Sequence, residues 1–419
     1  MISQFVHRFL FLAAGSVLYC SANIVGAAAE LPLTQFVNPF IGTAPCPGLK
    51  TGFKASAGNV FPGAVCPRGM LAWSPDTTHA YTAPGGYWYP DQTIRGFSLT
   101  HFSGRGVMYL MDIPFMPTGQ PVAVSPGTDW GQFAASFSHT NETASPGYYR
   151  VKFDNGIETE LTATPRTGLA RFTFPAQSPA TLLIHAGSSV SINGSRVAGF
   201  CHDSIGGKKR TFTIYFVAEF DRSFLAAKTW RGKSIRPETA ARGENCGAIL
   251  TFDTATNPVV QARVAISYVN LENARENLAR ENPAWNFAAV RQKADAMWNT
   301  VLNRIQVEGG TADAKQIFSA LGLYREIPGV AGLVIGSPAF PEATIHLVNG
   351  AAIQIIGEPA SPENCYVQKL ELNGKDLETP WLPWSALSPG ATLNFALGGT
   401  PSSRGTNSSP PSFDTIKTQ

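Results

Sequence analysis

Three of the four Asn-Gly pairs interrupt stretches in which apolar and polar residues alternate, and this pattern constrains the fold most. Asn-Gly tolerates the positive φ that a tight turn needs, and an alternation of period two is typical of a strand with one buried face. Each pair therefore predicts a β-hairpin. The flanking stretches are Tyr148–Phe153 and Ile157–Thr164 around Asn155-Gly156, Thr344–Val348 and Ala352–Ile356 around Asn349-Gly350, and Val367–Leu372 and Lys375–Glu378 around Asn373-Gly374.

The rest of the first two thirds of the chain fits the same class. Charged residues make up only 15% of the 419 residues and aromatic residues 11%, a balance that favours β structure over helical bundles or coiled coils. Many short strands separated by turns predict a sandwich or a barrel. The further predicted strands are Leu169–Phe174, Thr181–His185, Phe212–Phe220, Ala248–Phe252 and Val259–Val269.

The pattern then changes to helical spacing. Leu271–Arg280 predicts one helix, and Asn282-Pro283 predicts the N-cap and first residue of a longer amphipathic helix over Pro283–Val307, stopped by Gly309-Gly310. A short helical piece is predicted over Ala312–Leu323. The predicted organisation is a signal peptide at 1–29, a β-sandwich domain at 30–269, a helical linker at 270–323, a small C-terminal β domain at 324–398 and a disordered tail at 399–419.

Composition and targeting signals limit the compartment and the partners. Arg8, an apolar stretch and the small residues Ala27 to Ala29 predict a secretory signal and a secreted, extracellular or periplasmic protein. No later stretch has the length to span a membrane. The formal charge of +3 is too small to indicate a nucleic-acid partner. Five cysteines remain in the mature chain without a CxxC, so a sparse disulfide or buried thiols are expected instead of a zinc site.

Residues 38–117 are rich in Gly, Pro and aromatic residues without a period, which predicts long loops laid over the sandwich. Aromatic faces beside short polar side chains suit a sugar, which offers an apolar C–H face and a rim of hydroxyls. The alternative is that each aromatic residue belongs to a small core of the loops themselves. We select Tyr87, Trp88, Asp91 and His101 as candidate substrate-binding residues; the same region holds Trp73, Asp76, His79, Tyr81 and Tyr89, with His139 further along.

Glycoside hydrolysis would need two carboxyl groups, and the region offers Asp76, Asp91 and Asp112. The alternative for each is a turn or capping aspartate. No pair stands out in the sequence, and the scattered histidines indicate no metal cluster, so no catalytic or metal-binding residue is predicted.

Several motifs resemble the N-terminal domain of glycoside hydrolase family 92, the calcium-dependent, inverting exo-α-mannosidases. They are Val37 to Thr43 (VNPFIGT), Phe61 to Ala64 (FPGA), Gly86 to Asp91 (GYWYPD), His101 to Gly104 (HFSG), Phe137 to His139 (FSH) and Ala144 to Tyr149 (ASPGYY). The resemblance implies a large β-sandwich of the galactose-mutarotase type, a helical linker, an (α/α)6 barrel and a small C-terminal β domain. It also implies mannose-containing N-glycans as partners and calcium as a cofactor.

Most of the barrel that this family carries is missing. Ala314 to Phe318 resembles the start of the barrel and Phe318 to Tyr324 its last helix, so the two ends meet near Phe318. In the family the missing segments carry the general acid, the general base and much of the calcium site. The resemblance therefore implies a carbohydrate-binding protein that is hydrolytically inactive alone, with an incomplete calcium site. It also implies an apolar helix face over Pro283–Val307 left without the barrel, open to self-association.

Two alternatives stay open. The chain is an active enzyme that uses Asp76, Asp91 or Asp112 in an arrangement unlike that of the family. Otherwise the barrel is missing only from this gene sequence, and the natural product is a full exo-α-mannosidase.

Overall fold

The computed structural model of the 419-residue chain describes residues 32–44, 58–77, 84–104, 110–176, 179–204, 211–308, 321–324, 331–361 and 363–406. The predicted signal peptide, Gly309-Gly310, the join near Phe318 and the end of the predicted tail from 407 lie outside these residues.

The N-terminal part of the described chain forms one 15-stranded antiparallel sheet. Its strands are β1 (Ala64–Val65), β2 (Ala72–Thr77), β3 (Thr93–Ser98), β4 (Phe115–Thr118), β5 (Ala135–Ser145), β6 (Tyr148–Phe153), β7 (Glu158–Ala163), β8 (Thr167–Thr173), β9 (Ala180–Asn193), β10 (Arg196–Ser204), β11 (Thr211–Phe220), β12 (Ala226–Arg231), β13 (Ser234–Arg236), β14 (Ala240–Phe252) and β15 (Val259–Ser267).

The sheet closes on itself around one hydrophobic core. The spatial order is β1-β2-β3-β5-β6-β7-β8-β15-β11-β10-β9-β14-β12-β13, and β4 pairs with both β3 and β9. This closure wraps the strands into the two layers of a β-sandwich, so the predicted fold class is confirmed. The largest fully buried side chains are Trp73, Trp230, Tyr87, Tyr149, Phe97, Phe115, Phe153, Phe172, Phe174 and Phe216.

The first predicted hairpin is confirmed in its place along the chain. Strands β6 and β7 pair from Tyr148 with Thr162 to Lys152 with Glu158, and Gly156 in the turn has a φ of 86°. The side chain of Asn155 accepts a hydrogen bond from the amide of Ile157. The turn therefore has the left-handed backbone for which Asn-Gly was chosen.

The prediction of surface loops over residues 38–117 is wrong for four strands, β1 to β4. All six residues of β2 are buried, and Trp73 donates its indole hydrogen bond to the carbonyl of Phe97 in β3 at 3.1 Å. A strand covered on both faces has no alternation of apolar and polar residues, so a search for period two cannot find it.

Two helices follow the sandwich, α1 (Leu271–Glu281) and α2 (Phe287–Leu302). The first agrees with the prediction, but the second is shorter than the predicted Pro283–Val307. Asn282 ends α1, where its amide donates to the carbonyl of Leu278, and Asn286 is the N-cap of α2. The chain after α2 has left the helix by Ile305, because its backbone pairs with a C-terminal strand.

The apolar face of α2 is covered. The helix contacts β7 and β8, Phe287 and Ala294 are buried, and Trp298 donates a hydrogen bond to the carbonyl of Val65 at 2.7 Å. Its exposed positions are Ala288, Ala289, Arg291, Gln292, Lys293, Ala296 and Thr300. Val290, Met297 and Trp298 are half-buried, and self-association through this helix stays a prediction.

The C-terminal unit is built from two smaller sheets. Its elements are β16 (Ile305–Glu308), β17 (Leu321–Tyr324), β18 (Gly332–Pro338), β19 (Glu342–His346), β20 (Ala352–Ile356), β21 (Tyr366–Leu372), β22 (Lys375–Asp376), β23 (Trp381–Pro383), α3 (Trp384–Leu387) and β24 (Ala391–Gly398). One sheet has the order β16-β19-β20-β24-β21-β22 and the other β17-β18-β23. Both remaining Asn-Gly hairpins are confirmed, as β19-β20 and β21-β22.

Two predictions in this region are wrong. Leu321–Tyr324, expected at the end of a helix, is a strand that pairs with β18, and Leu321 is buried in the C-terminal core. Gly399–Thr406 was expected to be disordered, but the guanidinium of Arg404 donates to the carbonyl oxygens of Leu377 and Thr379. In both cases tertiary contacts override a local preference that is weak. Among the helices that the structure describes, none has the length and apolarity to cross a bilayer.

Candidate functional site

The four selected residues lie close together at the end of β2. The loop that carries Tyr87 and Trp88 is held there, because Thr77 donates its amide to the carbonyl of Gly86 and its hydroxyl accepts from the amide of Trp88. Gly86 has a φ of 79°, and a Cβ atom there would lie 2.8 Å from the ring of His101. Glycine is therefore required for the loop to reach the histidine.

His101 is a fixed part of this site. Its Nδ1 lies 2.9 Å from the carbonyl oxygen of Ala72, and its Nε2 lies 2.8 Å from Oδ1 of Asp76. Nδ1 donates to this carbonyl, because a carbonyl oxygen can only accept a hydrogen bond. The other oxygen of Asp76 accepts a hydrogen bond from the hydroxyl of Ser98. The His101 side chain has no exposed surface, so it positions its neighbours in this structure.

Tyr87 is also buried, and its phenol is directed away from His101. It donates a hydrogen bond to the carboxylate of Glu142 at 2.9 Å. The hydroxyl of Tyr149 donates to the same carboxylate at 2.5 Å, and Nδ1 of His139 lies 2.8 Å from it. Burial, with the Glu142 carboxylate next to it, raises the pKa of Tyr87 well above its usual 10. The phenol therefore stays protonated as a donor. No local pattern in the sequence marked Glu142, since it lies in a strand whose neighbours are mostly exposed.

Exposed aromatic surface remains at the neighbouring positions. Trp88 is half-buried, and Tyr89 stacks on His139 with ring centroids 4.1 Å apart and an interplanar angle of 13°. Asp91 is 7% exposed, in the turn after Trp88. For Trp73 and Tyr87 the alternative of a core role is the observed one, because both have no exposed surface. His79 and Tyr81 lie outside the described residues.

A pocket of about 360 Å³ opens on the other side of Asp76, and it contains a second predicted carboxylate, Asp112. Its lining residues are Asp76, Arg95, Leu110, Met111, Asp112, Ile113, Pro114, Trp130, His185, Cys201, His202 and Asp203. We call this cavity the Asp112 pocket. The loop before β4, the end of β10 and the 3-10 helix Trp130–Phe133 form its walls.

Asp112 and Asp203 line the same pocket. Burial, with the negative charge of Asp203 in support, raises the pKa of Asp112 from 3.8 to about 7, although the hydroxyl of Thr100 at 2.7 Å opposes the shift. Near neutral pH Asp112 therefore holds a proton more readily than an exposed aspartate does. Asp203 was not selected from the sequence, although Cys201-His202-Asp203 is a compact run of polar, reactive residues that could have drawn attention to it.

One wall of the Asp112 pocket is aromatic. The rings of Trp130 and His185 lie edge to face with centroids 5.5 Å apart, and Trp230 packs behind both. His185 bonds through Nε2 to Oδ1 of Asn245 at 2.8 Å, and burial lowers the pKa of the imidazole. The wall is therefore an uncharged aromatic surface next to a polar one, which suits a ligand that carries hydroxyl groups on an apolar ring.

The three carboxylates predicted from the sequence do not all lie in this pocket. Asp76 and Asp112 line it, whereas Asp91 is not among its lining residues. The Asp112 pocket can thus bind a polar ligand.

The described residues do not form a calcium cage. They contain no group of three or more His, Cys, Asp or Glu side chains that could hold a metal ion. Calcium needs six to eight oxygen ligands. The donor set in this part of the chain therefore does not fit the cation that the family resemblance implies.

The cysteines that the structure describes are thiols. Cys66, Cys201, Cys246 and Cys365 are not in disulfides, and Cys46 lies outside the described residues. Burial raises the pKa of Cys66 from 9.0 to about 12, and its thiol lies 3.1 Å from the carbonyl oxygen of Ala163. Of the two alternatives drawn from the sequence, buried thiols are the one seen at Cys66 and Cys246.

Comparison with known families agrees with this architecture. The profile described as the glycosyl hydrolase family 92 N-terminal domain matches residues 36–267, more than half of the chain. The profile described as the family 92 catalytic domain matches in two pieces, 273–318 and 310–399. The two pieces meet close to Phe318, where the sequence motifs predicted the join.

Individual relatives show the same likeness. An uncharacterized secreted glycosidase from Arthroderma benhamiae is 26% identical over 343 residues, which are 72% of this chain and 42% of the relative, so the chain spans less than half of its length. A family GH92 α-mannosidase from Bacteroides thetaiotaomicron superimposes with a TM-score of 0.80 at 18% identity, over 91% of this chain and 98% of that chain. Its complex with mannoimidazole gives a TM-score of 0.78 at 18% identity, over 91% and 97%. With a complete sandwich and a truncated catalytic region, the chain belongs to glycoside hydrolase family 92.

Proposed function

We propose that this protein is a secreted carbohydrate-binding member of its family that takes mannose-type glycans in the Asp112 pocket and does not hydrolyse them alone. The observation that carries the proposal is the pocket itself, which is lined by Trp130 together with the buried carboxyl groups of Asp76 and Asp112. Its volume of about 360 Å³ is in the range of small-ligand sites. Tyr87, Trp88, Asp91 and His101 belong to the proposal as the residues that shape the adjoining surface.

Mannose is the sugar that the comparisons favour. One relative of this fold forms a complex with mannoimidazole, a ligand with the shape of a mannose ring. The relative from Arthroderma benhamiae is described as secreted, which supports the predicted signal peptide. The preference for N-glycan mannose and any role of calcium are parts of the proposal that need direct measurement.

Binding tests the proposal directly. Isothermal titration calorimetry with mannose, α-1,2-linked mannobiose and mannoimidazole should give saturable binding, weakened at least about tenfold by Trp130→Ala. Trp384→Ala removes an exposed indole from the C-terminal unit and should leave binding unchanged. If no ligand saturates below about 10 mM, or if both variants lose binding equally, the pocket is not a mannose site.

Hydrolysis is tested separately. The chain, incubated with α-1,2-linked mannobiose and calcium, should release no mannose above the blank, because the segments that carry the acid and base in the family are missing. A rate that Asp112→Asn abolishes would instead support an active enzyme of unusual design.

A second candidate is a full exo-α-mannosidase whose barrel is absent only from this sequence. The overlap of the two catalytic-domain matches at residues 310–318 favours it, because it places both sides of a junction at similar residues. Sequencing the transcript across Gln316 to Leu321 decides the question. Additional coding sequence there would establish the full enzyme, and a continuous reading frame would establish the short chain.

A further inference from the structure

A groove between α1 and the outer face of the sandwich is lined by three arginines. Its main cavity has a volume of about 340 Å³ and adjoins a second of about 220 Å³, and the two share Arg196, Val217 and Arg275. The main cavity is lined by Arg196, Val217, Glu219, Arg263, Arg275, Leu278, Ala279 and Pro283. We call it the arginine groove. It shares no lining residue with the Asp112 pocket.

The charges of the arginine groove do not balance. Glu219 is the one carboxylate among its lining residues, and it accepts from Nε of Arg196 at 2.7 Å and from Arg263 at 2.6 Å. Arg275 on α1 adds a third positive charge. Glu272, outside the lining, pairs with Arg275 at 3.1 Å, so three guanidinium groups face two carboxylates. One positive charge remains in excess, and it attracts anions.

The three arginines differ in their freedom to bind a ligand. Arg263 is fully engaged, because it also donates to the carbonyl oxygens of Asn282 and Pro283. Arg196, from the sheet, and Arg275, from the helix, have side chains that are 66% and 54% exposed. The bond of Arg275 to Glu272 is a surface pair with a partner that is 78% exposed, and such pairs are weak. A ligand between the two walls can therefore recruit both guanidinium groups.

The rest of the arginine groove is apolar. Val217 and Leu278 are almost fully buried beneath it, and Ala198 continues this floor into the adjoining cavity. The two volumes exceed what a bare oxyanion fills. The shape and chemistry thus match an oxyanion attached to a small organic group whose apolar face rests on Val217 and Leu278.

We propose that the arginine groove is a second ligand site, which binds a phosphate, sulfate or carboxylate oxyanion of a small organic molecule between Arg196 and Arg275. Guanidinium groups recognise such oxyanions through paired hydrogen bonds. Because both arginines are exposed, salt weakens the affinity. The site acts independently of mannose binding in the Asp112 pocket.

The test compares three probes by heteronuclear NMR or calorimetry on the full chain: inorganic phosphate, mannose 6-phosphate and mannose. Arg196→Gln and Arg275→Gln should each weaken binding of the phosphate compounds at least about fivefold, with a larger loss in the double variant. Arg280→Gln is the matched control, because Arg280 lies on the same helix, is 71% exposed and does not line the groove. Circular dichroism melts of all variants check that the fold is kept.

The outcomes separate this site from the mannose proposal. Tighter binding of mannose 6-phosphate than of inorganic phosphate, lost in Arg196→Gln and kept in Trp130→Ala, supports an organic oxyanion. Equal binding of both phosphate probes identifies a site for the free anion and overturns the organic part of the proposal. No saturable phosphate binding at low salt, or the same loss in Arg280→Gln, overturns the site itself, whatever mannose does.

Discussion

At the scale of single residues, the raised pKa of Asp112 makes the stability of the folded state depend on pH. The pKa of Asp112 is raised to about 7 in the folded protein, so between about pH 4 and 7 the folded state holds a proton that the unfolded chain releases. Stability is therefore highest at the acidic end of this window and falls as pH rises through it, by up to about 1.4 kcal/mol per pH unit. Above pH 7 this contribution is lost.

Asp112→Asn should remove this dependence. An amide cannot ionise, and it keeps the volume of the carboxyl group beside Thr100, Cys201 and Asp203. Melting temperatures measured from pH 4.5 to 8 should fall for the wild type relative to the variant across the window. Parallel curves for the two proteins would contradict the raised pKa of Asp112.

Glu142 is the second residue with a large expected effect. Its side chain is 1% exposed and accepts hydrogen bonds from Tyr87, Tyr149 and His139. Glu142→Ala leaves two buried phenols without a partner, so we expect a loss of about 2–4 kcal/mol in the free energy of unfolding, measured by urea denaturation.

Glu158→Ala provides the matched control for that loss. Glu158 lies in β7, which β6 separates from the strand β5 that carries Glu142. Its pair with Arg150 is on the surface, where Arg150 is 44% exposed. The expected loss is at most about 1 kcal/mol. Equal losses in the two variants would show that the cluster around Glu142 is not a buried network.

At the scale of elements, the contact between β14 and Trp230 of β12 sets a strict steric requirement. A Cβ atom at Gly247 would lie 2.2 Å from the carbonyl oxygen of Ile184 and from the ring of Trp230. Gly247→Ala should therefore cost about 3 kcal/mol or more, as expected for overpacking that cannot relax.

A substitution at Gly194, between β9 and β10, tests backbone strain without a steric clash. It has open space around its Cβ position but a φ of 57°. Gly194→Ala should cost only about 1 kcal/mol, the left-handed strain alone. Thermal melts compare the two variants, and a loss at Gly194 as large as at Gly247 would contradict the steric argument.

The elements that could be predicted from the sequence are those with local signals. The three Asn-Gly hairpins and helix α1 were predicted within a few residues, because turn chemistry and periodicity act over short stretches. Strands β1 to β4 and the strand Leu321–Tyr324 were missed, since double-sided burial or pairing with distant strands leaves no local period. The sequence predicts Asn282 as the N-cap of the second helix, whereas Asn286 is the N-cap of α2 in the structure. Both asparagines fit the pattern, and only packing decides between them.

The candidate site divides in the same way. His101, Tyr87 and Asp76 were found because aromatic and polar residues cluster in the sequence, and folding brings them together at the end of β2. Glu142, Trp130, His185 and Asp203 come from distant strands, so only the closed sheet assembles them. A single sequence, read without an alignment, carries no information on such distant pairings.

At the scale of the whole molecule, the covered face of α2 bears on assembly. The helix packs on β7 and β8, which leaves less apolar surface for self-association than a helix without a partner would have. Light scattering coupled to size exclusion should report a monomer of about 45 kDa before signal removal, consistent with the 44.8 kDa chain. A stable dimer that Lys293→Glu disrupts would contradict this expectation.

The position of β15 has a consequence for how such a chain is made. This strand, Val259–Ser267, lies between β8 and β11, so both of those strands keep an unpaired edge until it is in place. A nascent chain that has emerged only to residue 258 exposes two unpaired strand edges. A product that stops there should aggregate, because such edges pair with other chains. Once Ser267 is out, the large sheet is complete without any residue of the catalytic region. A deletion downstream, such as the one near Phe318, therefore still allows the sandwich to fold.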